Sequence, residues 1–195
     1  MYASSTLVHY PWHTRPAGRL TPAQRAWLLR PDALTAGLRG LGNVTLRVTR
    51  EFVSGLSPIE AATLGRRPGS EVWVREVIMA IDGVDCVSAR SLTPLAASHS
   101  VWSGMRRLNT RPLADMLYGD SDIRRSPFTW RQLGLGDPFW YAVRRYSPTV
   151  TPTACLLGRQ SVFWRKRQPL LVAECFLPAF WQIATSANAR SPARP

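Results

Sequence analysis

The stretch Glu71–Pro94, EVWVREVIMAI-DG-VDCVSARSLTP, constrains the fold more than any other part of the chain. Its first half alternates, and it is apolar on both sides. Trp73, Val77, Met79 and Ile81 lie on one face; Val72, Val74, Ile78 and Ala80 lie on the other. A strand with two apolar faces has to be covered on both. The Asp82–Gly83 pair supplies the residues that a two-residue hairpin turn needs at positive φ, so VDCVSARSLTP is expected to return antiparallel beside the first strand. Arg75 sits in the middle of one apolar face, and its neighbour Glu76 points the other way. A buried guanidinium without an anion is costly, so Arg75 needs a partner.

The chain has 195 residues, 45% of them apolar, which suits one domain with a real core. No uninterrupted run of 18 apolar residues occurs, so no transmembrane helix is expected. The first residues, MYASSTLVHYPWHTRPAGR, lack the pattern of a secretory signal, and a cytoplasmic protein is the expectation. Three widely spaced cysteines, Cys86, Cys155 and Cys175, make no disulfide framework and no CxxC pair. The three histidines have no ligand-spaced partners, so no metal site is expected. Net charge is +13, nearly all of it arginine with Lys166 as the single lysine. Such a balance suits nucleic acid, an anionic membrane surface or acidic substrates. The cations are scattered, however, and a solvated surface accounts for them.

Along the chain, residues 1–20 read as an extended arm, 21–181 as one domain and 182–195 as a tail with the composition of a disordered end. TPAQRAWLL opens a helix with Thr21 as cap, Pro22 in the first turn and Gln24 completing a capping box. Asp32 is a second cap candidate, before a helix that stops at Gly40 or Gly42. Asn43–Val53 alternates as a strand, and 54–70 reads as a Gly/Pro loop with one helical turn. ASHSVWSGMRRL reads as helical, and a helix restarts at Pro112 and ends at Gly119. FTWRQLGLG, FWYAVRRY and ACLLGRQSVFWRK are strand candidates, and QPLLVAECFLPAFW is the last strand, ending at Pro178. Antiparallel strands with a few grouped helices make an α+β domain. No GxGxxG, Walker or GxSxG motif is present.

The last strand repeats the puzzle of the first. Glu174 is a lone carboxylate in PLLVAECFLP, on a face with Leu170, Val172 and Phe176. Either it pairs with Arg75, or the two lie at wet strand edges, or each addresses a group of a ligand in a lined cavity. A guanidinium suits a carboxylate and a glutamate suits a hydroxyl.

WVREVIMAIDGVDCVSARSLTP, TRPLADML, LLGRQS and PLLVAECFLP, in that order, together with WLLRPDALT near the N-terminus, resemble the chorismate pyruvate-lyase family over roughly Trp27 to Pro178. The resemblance implies a single α+β domain: a six-stranded antiparallel sheet with helices covering one side. It implies a cofactor-independent lyase that converts chorismate to 4-hydroxybenzoate and pyruvate for ubiquinone biosynthesis. By resemblance Arg75 holds the ring carboxylate and Glu174 meets the product hydroxyl. The backbone amides of Leu34 and Leu113 complete the pocket. Both leucines lie at helix starts, where N–H groups lack intrahelical acceptors and favour anions. Arg90 and Arg159 are candidates for the second carboxylate of the substrate. The segment between Arg131 and Gly158 is longer than in compact members, and Gln160 stands where many have a second arginine.

Two other functions fit parts of the sequence. A small-molecule-sensing regulatory domain of the same fold would do no chemistry, but the roughly 20 residues before Thr21 are too few for a helix-turn-helix. A nucleic-acid-binding protein would use the net charge and the eight tryptophans. No RNP-like pattern or basic helix supports it, and no nucleic acid is expected as a partner. Weak association with an anionic membrane surface is the remaining use of the positive charge.

Overall fold

The computed structural model describes residues 12–15, 20–147, 150–151 and 156–190. It is an antiparallel sheet with helices on both faces. In chain order the elements are α1 (Pro22–Leu28), α2 (Leu34–Arg39), β1 (Val44–Gly55), α3 (Pro58–Leu64), β2 (Glu71–Ile81), β3 (Val84–Pro94) and α4 (Leu95–Ser98). A 3₁₀ turn, Ser103–Arg107, follows. Then come α5 (Ala114–Leu117), β4 (Arg124–Arg125), β5 (Thr129–Leu133), α6 (Pro138–Tyr146), β6 (Leu156–Arg165), β7 (Gln168–Phe176) and α7 (Pro178–Arg190). The sheet order is β1-β2-β3-β7-β6-β4, and β5 also pairs with β6.

The β2–β3 hairpin forms as its residues require. Asp82 and Gly83 both have positive φ, 48° and 80°, and Glu76 lies opposite Arg90 in the ladder. The capping box at Thr21 and Gln24 is present. The sheet has seven strands where six were expected. The strand beside β6 is split: β4 pairs with Phe163–Trp164 and β5 with Leu156–Gln160. Pro127 lies between them, and a proline cannot donate to a ladder.

The helices do not keep to one side. α1, α2 and α7 pack on the face of Val77, Met79 and Phe176. The turn around α5 packs on Trp73, Phe163 and Leu170 of the same face. The opposite face is covered by α3, through Ala61 and Leu64 on Val72 and Val74, and by α6, through Phe139 and Val143 among Leu156, Ala173 and Cys175. A central strand that is apolar on both sides requires this second layer.

Three segments differ from the expectation. FWYAVRRY is helix α6 rather than a strand: Asp137 caps it by accepting from the Phe139 N–H, and Pro138 opens its first turn. The loop after β1 holds a full helix, α3, with a Ser57–Glu60 capping box. The tail from residue 182 continues helix α7 as far as Arg190. Its Phe180 and Ala184, four residues apart, are buried in the same core as Trp27. Residues 191–195 of the tail, 1–11 and 16–19 of the arm, and Cys155 lie outside the described residues. His13 of the arm pairs with Trp130 of β5 through both backbone hydrogen bonds, at 2.8 and 2.9 Å.

The face away from α1 and α2 carries a buried charge network. Buried Arg90 donates to Glu60 at 3.1 Å and to Glu76 directly across the ladder. Arg131 and Asp137 pair close by. Burial pushes the Asp137 carboxyl above its ordinary range, with Arg131 acting against the shift. Arg90→Ala leaves Glu60 and Glu76 without their shared cation, which costs about 3 kcal/mol or more. A matching fall in unfolding free energy by urea denaturation is the expected result.

Candidate functional site

Arg75 and Glu174 do not pair with each other. Both line one cavity, between the sheet and the turns that carry α2 and α5. Leu34 and Leu113 line it as well. The four residues singled out from the sequence thus converge. Ladder register explains the convergence. Arg75 lies opposite Ser91, which lies opposite Val172; Val77 lies opposite Ala89, which lies opposite Glu174, which lies opposite Arg159. Two adjacent rows of one sheet face therefore carry the charges. The residues of β3 between them, Ala89 and Ser91, are small, and both line the cavity.

The Arg75 side chain is 1% exposed. Its Nη2 donates to the Asn109 carbonyl at 2.6 Å and towards the Arg111 carbonyl at 3.4 Å. Its Nε lies 3.3 Å from Glu51 Oε1, on the facing residue of β1. Asn109 has φ 48°, a left-handed conformation that asparagine tolerates. Burial lowers the Arg75 pKa from its ordinary value, and Glu51 opposes the shift. Among the described residues Nη1 has no partner, and the buried Nε has its ion pair with Glu51 but no hydrogen bond.

Glu174 accepts from Arg159 Nε at 2.6 Å. Arg159 is wholly buried, and its guanidinium lies 4.1 Å from the Phe128 ring centre. Glu174 Oε1 has no hydrogen-bond partner among the described residues. Tyr118, also in the lining, has its phenol pKa raised by burial, with Arg125 acting against it, so it stays a neutral hydroxyl.

Leu34 is the first residue of α2, and Leu113, with φ −63° and ψ −28°, caps α5. The α2 cap is Ala33 rather than Asp32, and it offers no side-chain acceptor. Neither the Leu34 nor the Leu113 N–H donates to an acceptor among the described residues. Of the two arginine candidates for a second carboxylate, Arg159 is in the cavity. Arg90 is on the opposite face, committed to Glu60 and Glu76. Even-numbered positions of β3 face away from the even-numbered Glu174 of β7 once the ladder pairs Ala89 with it. The role of Arg159 as partner of Glu174, and that of Glu51 as partner of Arg75, were not evident from the sequence. Arg159 carried a signal, a lone cation in the apolar strand LLGRQSVF.

The family model for chorismate lyase matches residues 12–186. The chain belongs to the chorismate lyase family. A protein of Bordetella avium described as a probable chorismate pyruvate-lyase is 56% identical over 181 residues, 93% of this chain and 90% of the relative. A Pseudomonas fluorescens protein described as probable chorismate pyruvate-lyase 1 is 40% identical, over 93% of this chain and 96% of its own. Among solved structures, the effector domain of PhnF from Mycobacterium smegmatis superposes with a TM-score of 0.55 at 13% identity, over 76% of this chain and 90% of that one. A GntR-family transcriptional regulator from Bacillus cereus gives 0.51 at 15%, over 70% and 92%. These two share the fold. Among the described residues no helix is long and apolar enough to cross a membrane.

Proposed function

We propose that the protein is a chorismate pyruvate-lyase, which eliminates pyruvate from chorismate and leaves 4-hydroxybenzoate, a precursor for ubiquinone. The observation that carries this reading is the pairing of poles in one cavity. Arg75 offers a free Nη1 at one end, and Glu174 offers a free carboxylate oxygen two strands away. With strands about 4.8 Å apart and residues about 3.4 Å apart along each, the two Cα atoms are roughly 12 Å apart. A small ring with polar groups at opposite ends suits two poles set on one sheet face at that Cα separation. A carboxylate suits the guanidinium and two orphan amides; a hydroxyl suits the glutamate.

The chemistry balances without a co-reactant. The ether C–O bond breaks, and the neighbouring ring carbon, which bears the hydroxyl, loses its proton. The ring becomes aromatic, and the enolpyruvate released takes up a proton and becomes pyruvate. Aromatisation supplies the driving force. The protein has to hold the reactive conformer and stabilise charge on the leaving group. Arg75 with the amides of Leu34 and Leu113 orients the ring carboxylate. Glu174 fixes the hydroxyl end, beside the carbon that loses its proton.

Incubation with chorismate, followed by chromatography of the products, tests the reading; absence of both 4-hydroxybenzoate and pyruvate would overturn it. Arg75→Ala is expected to lower kcat/KM by at least about 100-fold, the loss of one charge-assisted anion contact in a dry site, in an assay of pyruvate release. Glu174→Gln is expected to weaken 4-hydroxybenzoate binding about tenfold by calorimetry; unchanged affinity would remove Glu174 from the pocket. Leu113→Pro deletes the amide N–H at a φ that proline accepts, whereas Leu113→Ala keeps it. Product affinity should fall further in the proline variant than in the alanine one, and equal losses would exclude the amide.

A further inference from the structure

The two cavity arginines share a second feature. Each spends part of its guanidinium on the backbone carbonyls of the turn that presents one of the two amides. Arg75 Nη2 reaches Asn109 and Arg111, and Leu113 follows two residues later. Arg159 Nη1 donates to the carbonyls of Trp27, at 3.1 Å, and Arg30, at 2.9 Å, and Leu34 follows four residues after Arg30. The same Arg159 donates through Nε to Glu174. Arg125 also reaches this turn, through Nη2 to the Pro31 carbonyl at 3.3 Å, but among the described residues Arg159 alone joins the turn to Glu174 by side-chain hydrogen bonds.

We infer that Arg159 is a positioning residue of this site: one rigid guanidinium sets the Glu174 carboxylate and at the same time latches the α1–α2 turn that carries the Leu34 amide. The inference rests on the functional reading above for its ligand. The latch itself is a statement about the protein alone. A planar fork can serve a carboxylate through one edge and two carbonyls through another. A lysine ammonium in the same place reaches one group or the other. The Arg159 side chain is wholly buried under Phe128, so water cannot replace the lost donors cheaply.

The charge environment of Glu174 is sparse. Arg159 faces it from β6, Tyr118 from the end of α5, and Arg75 from β2 across the cavity; β3 contributes only Ala89 beside it.

Two variants separate the two jobs. Arg159→Lys keeps a cation for Glu174 and loses the fork. Hydrogen exchange of the native protein and this variant, read by mass spectrometry, is expected to show amides of residues 33–37 exchanging about tenfold faster in the variant, with those of residues 109–114 unchanged. Equal exchange in both proteins, or faster exchange at both turns alike, would overturn the latch. Arg159→Gln loses the cation too. Calorimetric affinity for 4-hydroxybenzoate is expected to fall about tenfold further in Arg159→Gln than in Arg159→Lys, because only the lysine keeps a charged donor for Glu174. Equal losses in the two variants would overturn the positioning of Glu174. If Arg159→Gln does not fold, the exchange measurement on Arg159→Lys decides alone. Native protein inert toward chorismate would sink the functional reading and leave that exchange result standing.

Discussion

Burial of the Arg75 guanidinium, in a strand closed off from water on both faces, is the constraint on which the rest of this structure depends. Such a cation persists only if its N–H groups are answered. Here they are answered in part by protein: two carbonyls of the 109–111 turn and a half-exposed glutamate on the edge strand. The turn that supplies the carbonyls is the one that delivers the Leu113 amide. One buried charge therefore organises the covering segment, and the donor left over gives the cavity its polarity. The central strand contributes Ala89 and Ser91 where larger residues would fill the space.

The opposite face of the same strands shows the alternative solution. Glu76, one residue along from Arg75, meets Arg90 and through it Glu60, and the three close on one another. A network whose cation is shared between two buried carboxylates specifies register and packing, although Glu76 Oε2 keeps no hydrogen-bond partner among the described residues. The pairing of Glu76 with Arg90 directly across the ladder also holds β2 and β3 in the register that puts Arg75 beside Ser91. The structural face and the cavity face are thus coupled through the backbone of two strands.

The hairpin, the first helix and the two lone charges Arg75 and Glu174 were legible in the sequence because their signals are local. A DG turn, a capping box, and a charge at a period-two position in an apolar strand each speak for themselves. The resemblance to a family joined Leu34 and Leu113 to the two charges, which periodicity could not do. What stayed hidden depended on context. Aromatic and β-branched residues made FWYAVRRY look like a strand, although Asp137–Pro138 is a helix start. Ser57 and Glu60 form the same kind of box as Thr21 and Gln24, but surrounding Gly and Pro masked it. α7 owes its order to two buried side chains that find their partners only in the folded core. Which arginine faces the cavity follows from ladder register, and that needs the neighbouring strands. The likeness to regulator effector domains is one of scaffold; the chemistry resides in the side chains set on it.

The most direct test is a crystal structure of the protein with 4-hydroxybenzoate bound. The account predicts the carboxylate on Arg75 Nη1 and the free amides of Leu34 and Leu113, with the phenol hydroxyl donating to Glu174. A ligand bound in the reverse orientation, or held outside this cavity while Arg75 and Glu174 keep only their protein partners, would contradict it.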